Sequence, residues 1–135
     1  FMFLNYLKER NKENFLKLCV YAAVSNGVFA TKEEEMLGAY CREMNIPQNI
    51  PDTSDSLEYV LADIVEHTDE LEKNIIVMEI LGLVKIDGVY DDKEKDFMNN
   101  LIDGLMVKEC LLNKMNSLLD IYTVVCKELY ATITE

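Results

Sequence analysis

The chain has 135 residues, half of them apolar and 28% charged, with a formal net charge of −12. That is the length and balance of one globular domain and argues against disorder. A field of that sign repels phosphate backbones and so argues against a nucleic-acid partner, a single histidine argues against a His-built zinc site or a His-dependent triad, and what the charge would attract is a divalent cation or a basic surface.

Helical periodicity runs through almost every segment, and strand alternation is nearly absent. The spacing predicts a short leading helix over Phe1–Arg10 and a first full helix over Lys12–Val24, ended by Asn26-Gly27. The next helix is predicted over Thr31–Met44, with Thr31 as its cap and Glu34 completing a capping box. Pro47 and Pro51 bracket a loop, after which Ser54–Glu66 carries Leu57, Val60, Leu61, Ile64 and Val65 on one face. Thr68 or Asp69 caps a helix to Ile86 that is apolar on most sides and is expected at the centre of the core. Asp87-Gly88 stops it, and Asp91 with Glu94 opens the next helix, to Met106, with a second capping box. The last helix is predicted over about 108–131, with Leu111, Leu112, Met115, Leu118, Leu119, Tyr122, Val125 and Leu129 as a buried stripe.

No stretch has the character of a domain boundary, so 1–135 reads as a single all-α domain, a bundle of six to seven helices. The longest uncharged run, Leu18–Thr31, is too short to span a bilayer, and no secretory signal pattern opens the chain. A cytoplasmic protein is the expectation. The apolar start, Phe1–Leu4, reads as a docking segment or as the end of something longer. Cys19, Cys41, Cys110 and Cys126 form no CxxC pair and sit at helical spacing among apolar residues, so all four are expected to be reduced core residues.

An internal repeat is the most informative feature. Asn26-Gly27-Val28-Phe29-Ala30-Thr31-Lys32-Glu33 lies over Asp87-Gly88-Val89-Tyr90-Asp91-Asp92-Lys93-Glu94 at an offset of 61 residues. The offset continues through Leu37 and Met98, Tyr40 and Leu101, Cys41 and Ile102, Met44 and Leu105, and upstream through Leu16 and Val77 and Ala23 and Val84. The two copies, about 15–46 and 76–107, each predict a buried helix, a tight turn at Gly27 or Gly88 and an amphipathic helix, and the pair could share one core about a pseudo-twofold axis.

This pattern resembles the tellurite-resistance TerB-like family, whose members carry two copies of a helix ending in Asp-Gly, then two residues, a cap, two more residues and Glu. The second copy fits in full. The first departs from it, with Asn26 in place of Asp and Ala30 at the cap position, Thr31 taking that role one residue later. The resemblance covers about residues 15–107 plus a final helix. It implies an all-α binding module in stress-response or membrane-associated complexes, with peripheral membrane association compatible with it, and divalent-cation binding by acidic residues of the repeats. Carried over by position, the ligands are Asp87 and Glu94 in the second copy and Asn26 and Glu33 in the first.

On the residues alone, Asp87, Asp91, Asp92 and Glu94 crowd one helix start, and such oxygen ligands suit calcium or magnesium. The competing account engages Asp91 and Glu94 with backbone N–H groups as a capping box. No paired general base, histidine cluster or phosphate loop is present, so the chain is not expected to be an enzyme. The reading is a non-catalytic acidic module that binds a protein partner, a cation or both. The alternative is a structural or oligomerising domain of phage or mobile-element origin, whose mark would be an exposed apolar patch on the last helix or at the amino terminus.

Overall fold

Seven aliphatic positions between Ile75 and Val84 leave one helix with almost no face for water, and the others gather around it. The computed structural model describes residues 3–26, 31–86 and 88–135, except for the side chains of 26, 31 and 32. It is all-α: α1 (Glu9–Ala23), α2 (Thr31–Glu43), α3 (Leu57–His67), α4 (Glu70–Val84), α5 (Asp92–Leu105) and α6 (Glu109–Ile133), with no strand among the described residues. α4 is the central helix, burying Ile75, Ile76, Val77, Ile80, Leu81, Leu83 and Val84. α1 packs on α3 and α4, α5 packs on the same two helices, and α2 lies against α1.

Local chemistry sets the helix ends. Ser56 Oγ accepts from Tyr59 N at 3.1 Å and Asp69 Oδ1 from Glu72 N at 2.9 Å, each satisfying an amide that a helix start leaves open. α2 and α5 both close on a left-handed residue, Asn45 (φ 57°) and Met106 (φ 59°). In each the following amide bonds back to the last turn, Ile46 N to Cys41 O at 3.0 Å and Val107 N to Ile102 O at 2.9 Å.

Three expectations need correction. Among the described residues no α-helix precedes Glu9. Leu4–Tyr6 form one 3₁₀ turn and the chain then extends to Lys8. Carboxylates on other helices take the amides of this strap: Glu79 Oε1 accepts from Phe3 N (3.4 Å), Glu43 Oε2 from Leu4 N (2.7 Å) and Glu72 Oε2 from Lys8 N (3.1 Å). With those bonds made across the fold and Leu4 and Leu7 buried, the segment has no need of helical partners. Thr31 is the first residue of α2, so it is inside the helix and not its cap. The cysteines divide: Cys19 and Cys41 are buried, but Cys110 and Cys126 lie on α6 and are exposed.

The repeat is visible in burial. Leu16 and Val77, Ala23 and Val84, Leu37 and Met98, Tyr40 and Leu101, Cys41 and Ile102, and Met44 and Leu105 are buried in both members of every pair. Asn11 and Glu72, also 61 residues apart, touch each other: Asn11 Nδ2 donates to Glu72 Oε2 at 2.9 Å. These two counterparts thus meet where α1 packs on α4. The offset also runs further than the sequence reading took it, because α3 answers the stretch of α6 from Leu118 onward. Leu57, Val60, Leu61, Ile64, Val65 and Thr68 correspond to Leu118, Ile121, Tyr122, Val125, Cys126 and Leu129.

Candidate functional site

The second acidic turn is built by a glycine and a cap. Gly88 has φ +82°, a conformation that side chains with a Cβ rarely adopt, and it reverses the chain between α4 and α5. Asp91 Oδ1 then accepts from Glu94 N at 2.8 Å and Glu94 Oε1 from Asp91 N at 3.1 Å, a complete capping box. Glu94 is buried. Tyr90 half-covers the turn, with the ammonium groups of Lys85 and Lys95 each 5.7 Å from its ring centroid. Burial first, and then the negative charge of Glu94, push the Tyr90 hydroxyl above its ordinary pKa.

Of the sequence-derived site residues, the structure thus brings Asp91 and Glu94 together. Their carboxylates are aimed at amides and stabilise the start of α5, which also carries Asp92 in its first turn. Glu33 is buried in α2, as Glu94 is in α5. Asn26 ends a short 3₁₀ turn, Val24–Asn26, and its side chain lies outside the described ones. Asp87 and Gly27 also lie outside the described residues.

Two further features stand apart from these residues. Asp63, Glu66 and His67 form a cluster on α3 whose potential ligand atoms lie within 4.8 Å of one another. The 63/66/67 spacing is the signal that marks it. Two of its three groups are engaged: His67 Nδ1 is 2.8 Å from Asp63 O and 3.3 Å from Asp63 Oδ1, and Asn14 Nδ2 donates to Asp63 Oδ2 at 2.6 Å. Arg10 Nη2 also approaches Asp63 Oδ1, at 3.5 Å. A guanidinium at that distance opposes a cation. Of the thiols, burial pushes that of Cys19 well up, which removes it as a nucleophile.

The second feature is α6, where the expected buried stripe is the largest departure from the sequence reading. Leu112 is buried and Leu111, Met115 and Leu119 are half-buried, but every residue from Asp120 to Glu135 is exposed. The cause is length. Twenty-five residues make a helix of about 37 Å, against about 22 Å for the fifteen of α4, so α6 outruns the core it starts on. Lys85 Nζ holds its inner half, contacting Asp120 Oδ1 at 2.5 Å and Asn116 Oδ1. Beyond that point Ile121, Tyr122, Val125, Leu129 and Ile133 form an apolar stripe, from 43% (Tyr122) to 78% (Ile133) exposed. A groove of about 720 Å³ opens beside it, lined by Met36, Gly82, Ile86, Tyr90, Leu119 and Thr123 among others. No helix among the described residues is long and apolar enough to cross a membrane.

The fold is that of a known protein. The chain superposes on the crystal structure of a tellurite resistance protein from Nostoc punctiforme with a TM-score of 0.70, over 91% of this chain and 79% of that one, at 15% sequence identity. The likeness is one of fold, and at that level it agrees with the TerB-like resemblance of the repeat. No protein family and no curated protein matches the sequence.

Proposed function

We propose that the chain is a non-catalytic helical interaction module whose docking element is the outer half of α6. One observation carries this reading: an apolar stripe stands in solvent on α6, whereas α3 buries Val60, Leu61 and Ile64, the residues 61 positions before Ile121, Tyr122 and Val125. Water-exposed stripes of this kind are sites of protein association. The setting is a protein complex of the sort implied by the TerB-like resemblance. The acidic turns belong to the scaffold in this reading, where Asp91 and Glu94 hold the start of α5.

A photo-crosslinking residue at position 125, tested in the protein's own cells, should give a discrete adduct. The same residue in place of Glu66, exposed on α3, is the control. An equal pattern from the two positions would remove α6 as the docking element. The turns are tested separately, by thermal unfolding after chelation. Adding calcium or magnesium back should leave the midpoint unchanged. A rise of several degrees, abolished by Asp87→Ala, would restore a cation site at the second turn.

A further inference from the structure

We propose that the outer half of α6 pairs with the same segment of a second copy of this chain, the two helices running antiparallel. This rests on the docking role of α6 proposed above and names its partner.

The first argument is register. Leu118, Tyr122, Val125 and Leu129 follow one another at alternating steps of four and three residues, the seam of a helix pair. Set antiparallel about a point between Thr123 and Val124, the stripe is complementary to itself. Leu118 meets Leu129 of the second copy, Tyr122 meets Val125, and both contacts recur in reverse across the twofold. A large ring then faces a small side chain in each central layer. Parallel pairing would set Tyr122 on Tyr122 and Val125 on Val125, leaving one layer overfull and the next underfilled.

Charge gives the second argument. The chain as a whole carries −12, but residues 118–133 hold only Asp120, Lys127 and Glu128. Two copies of so acidic a molecule approach with least repulsion along this segment. Asp120 and Lys127 fall on the side of the helix away from the stripe, so no like charges meet in the seam. The antiparallel arrangement also holds the acidic bodies apart. The helix bases near Leu112 would stand roughly 35 Å from each other, several times the Debye length of about 8 Å at physiological salt. Parallel pairing would place the bodies side by side.

Area is the third argument. The half-exposed stripe offers about 500 Å² per copy, hence about 1,000 Å² in all, which is the lower edge of specific interfaces. A pairing at that edge is expected to be weak and reversible, so it is sought from about 1 to 200 μM chain.

Sedimentation of the full chain across that range is the test, with Val125→Glu as the stripe variant. Pairing predicts a mass that doubles with concentration in the native chain and stays monomeric in the variant, whose unfolding midpoint at submicromolar concentration is unchanged. Orientation is read in a Cys110→Ser, Cys126→Ser background carrying Leu118→Cys or Leu129→Cys. The two single variants, mixed and oxidised, should form a disulfide dimer, and neither should do so alone. Dimers from one variant alone would mean parallel pairing and overturn the proposal. A native chain that stays monomeric up to about 200 μM, where even a weak specific pair of micromolar affinity would associate, also overturns it. In that case an unchanged midpoint for Val125→Glu leaves the docking role of α6 standing for a different protein or a lipid surface. A midpoint lowered by several degrees means that the stripe packs within its own chain, and both readings fail.

Discussion

Val60, Leu61 and Ile64 on α3 are closed off from water, whereas Ile121, Tyr122 and Val125, sixty-one residues further on, stand in it. The side chains are of the same kind and so is their spacing. What differs is the connection before each helix. Between Glu43 and Leu57 the chain has thirteen residues and both prolines, enough to carry α3 back over α1 and α5. Asp55 fixes that path, its carboxylate 3.0 Å from Lys17 Nζ and its carbonyl oxygen accepting from the Tyr21 hydroxyl. Gly104 then lets α5 come close, since a Cβ there would stand 2.7 Å from Leu61 Cδ1. Between Leu105 and Glu109 there are only three residues. α6 has to start at once, and it runs straight past the core. An apolar stripe therefore declares that a face is fit to be buried, while the length of the preceding connector decides whether the same chain can bury it.

The largest effect should come from breaking the comparison at its centre. Ile64→Ala opens a cavity where Ile64 is fully buried and should cost about 2–5 kcal/mol. Val125→Ala, measured at submicromolar concentration, should stay within about 0.5 kcal/mol of the native chain. Urea unfolding of the two variants decides it, and equal losses would mean that α6 is packed as α3 is. A smaller effect is expected at the second turn. Asp91→Ala removes the capping box and should lower stability by about 1 kcal/mol, seen as a lower thermal midpoint with chelator present. No loss would show that the box contributes nothing to α5. The smallest effect sharpens the likeness of the two units. Met106 and Asn45 occupy the same left-handed position, but the strain falls mainly on methionine, whose side chain is 70% exposed and loses little on removal. Met106→Gly should therefore gain somewhat under about 1 kcal/mol, and Asn45→Gly clearly less. Equal gains from the two substitutions would remove the distinction.

Much of this was legible in the residues. Periodicity located the six helices to within a few positions, because each buries a face, and Asp91 with Glu94 announced their cap because the box needs those side chains at that spacing. Asn45 is a readable helix stop, but Met106 is not, since nothing about methionine marks a left-handed residue. The strap was also hidden. Its amides are taken by Glu43, Glu72 and Glu79, and a carboxylate that accepts from a distant backbone leaves no local pattern. The stripe on α6 was expected to be buried, and its exposure entered only as the mark of the alternative, oligomerising reading, for periodicity identifies an apolar face and is silent about what covers it.

The contact between Asn11 and Glu72 makes the two halves inequivalent. A residue next to a twofold axis meets its own counterpart, so in two identical halves this buried place would hold two asparagines or two glutamates. A pair of glutamates there would set like charges against each other out of reach of water. A pair of asparagines would still hydrogen-bond, since each amide both donates and accepts, so it is the carboxylate of Glu72 that keeps the second half from standing in for the first at this place.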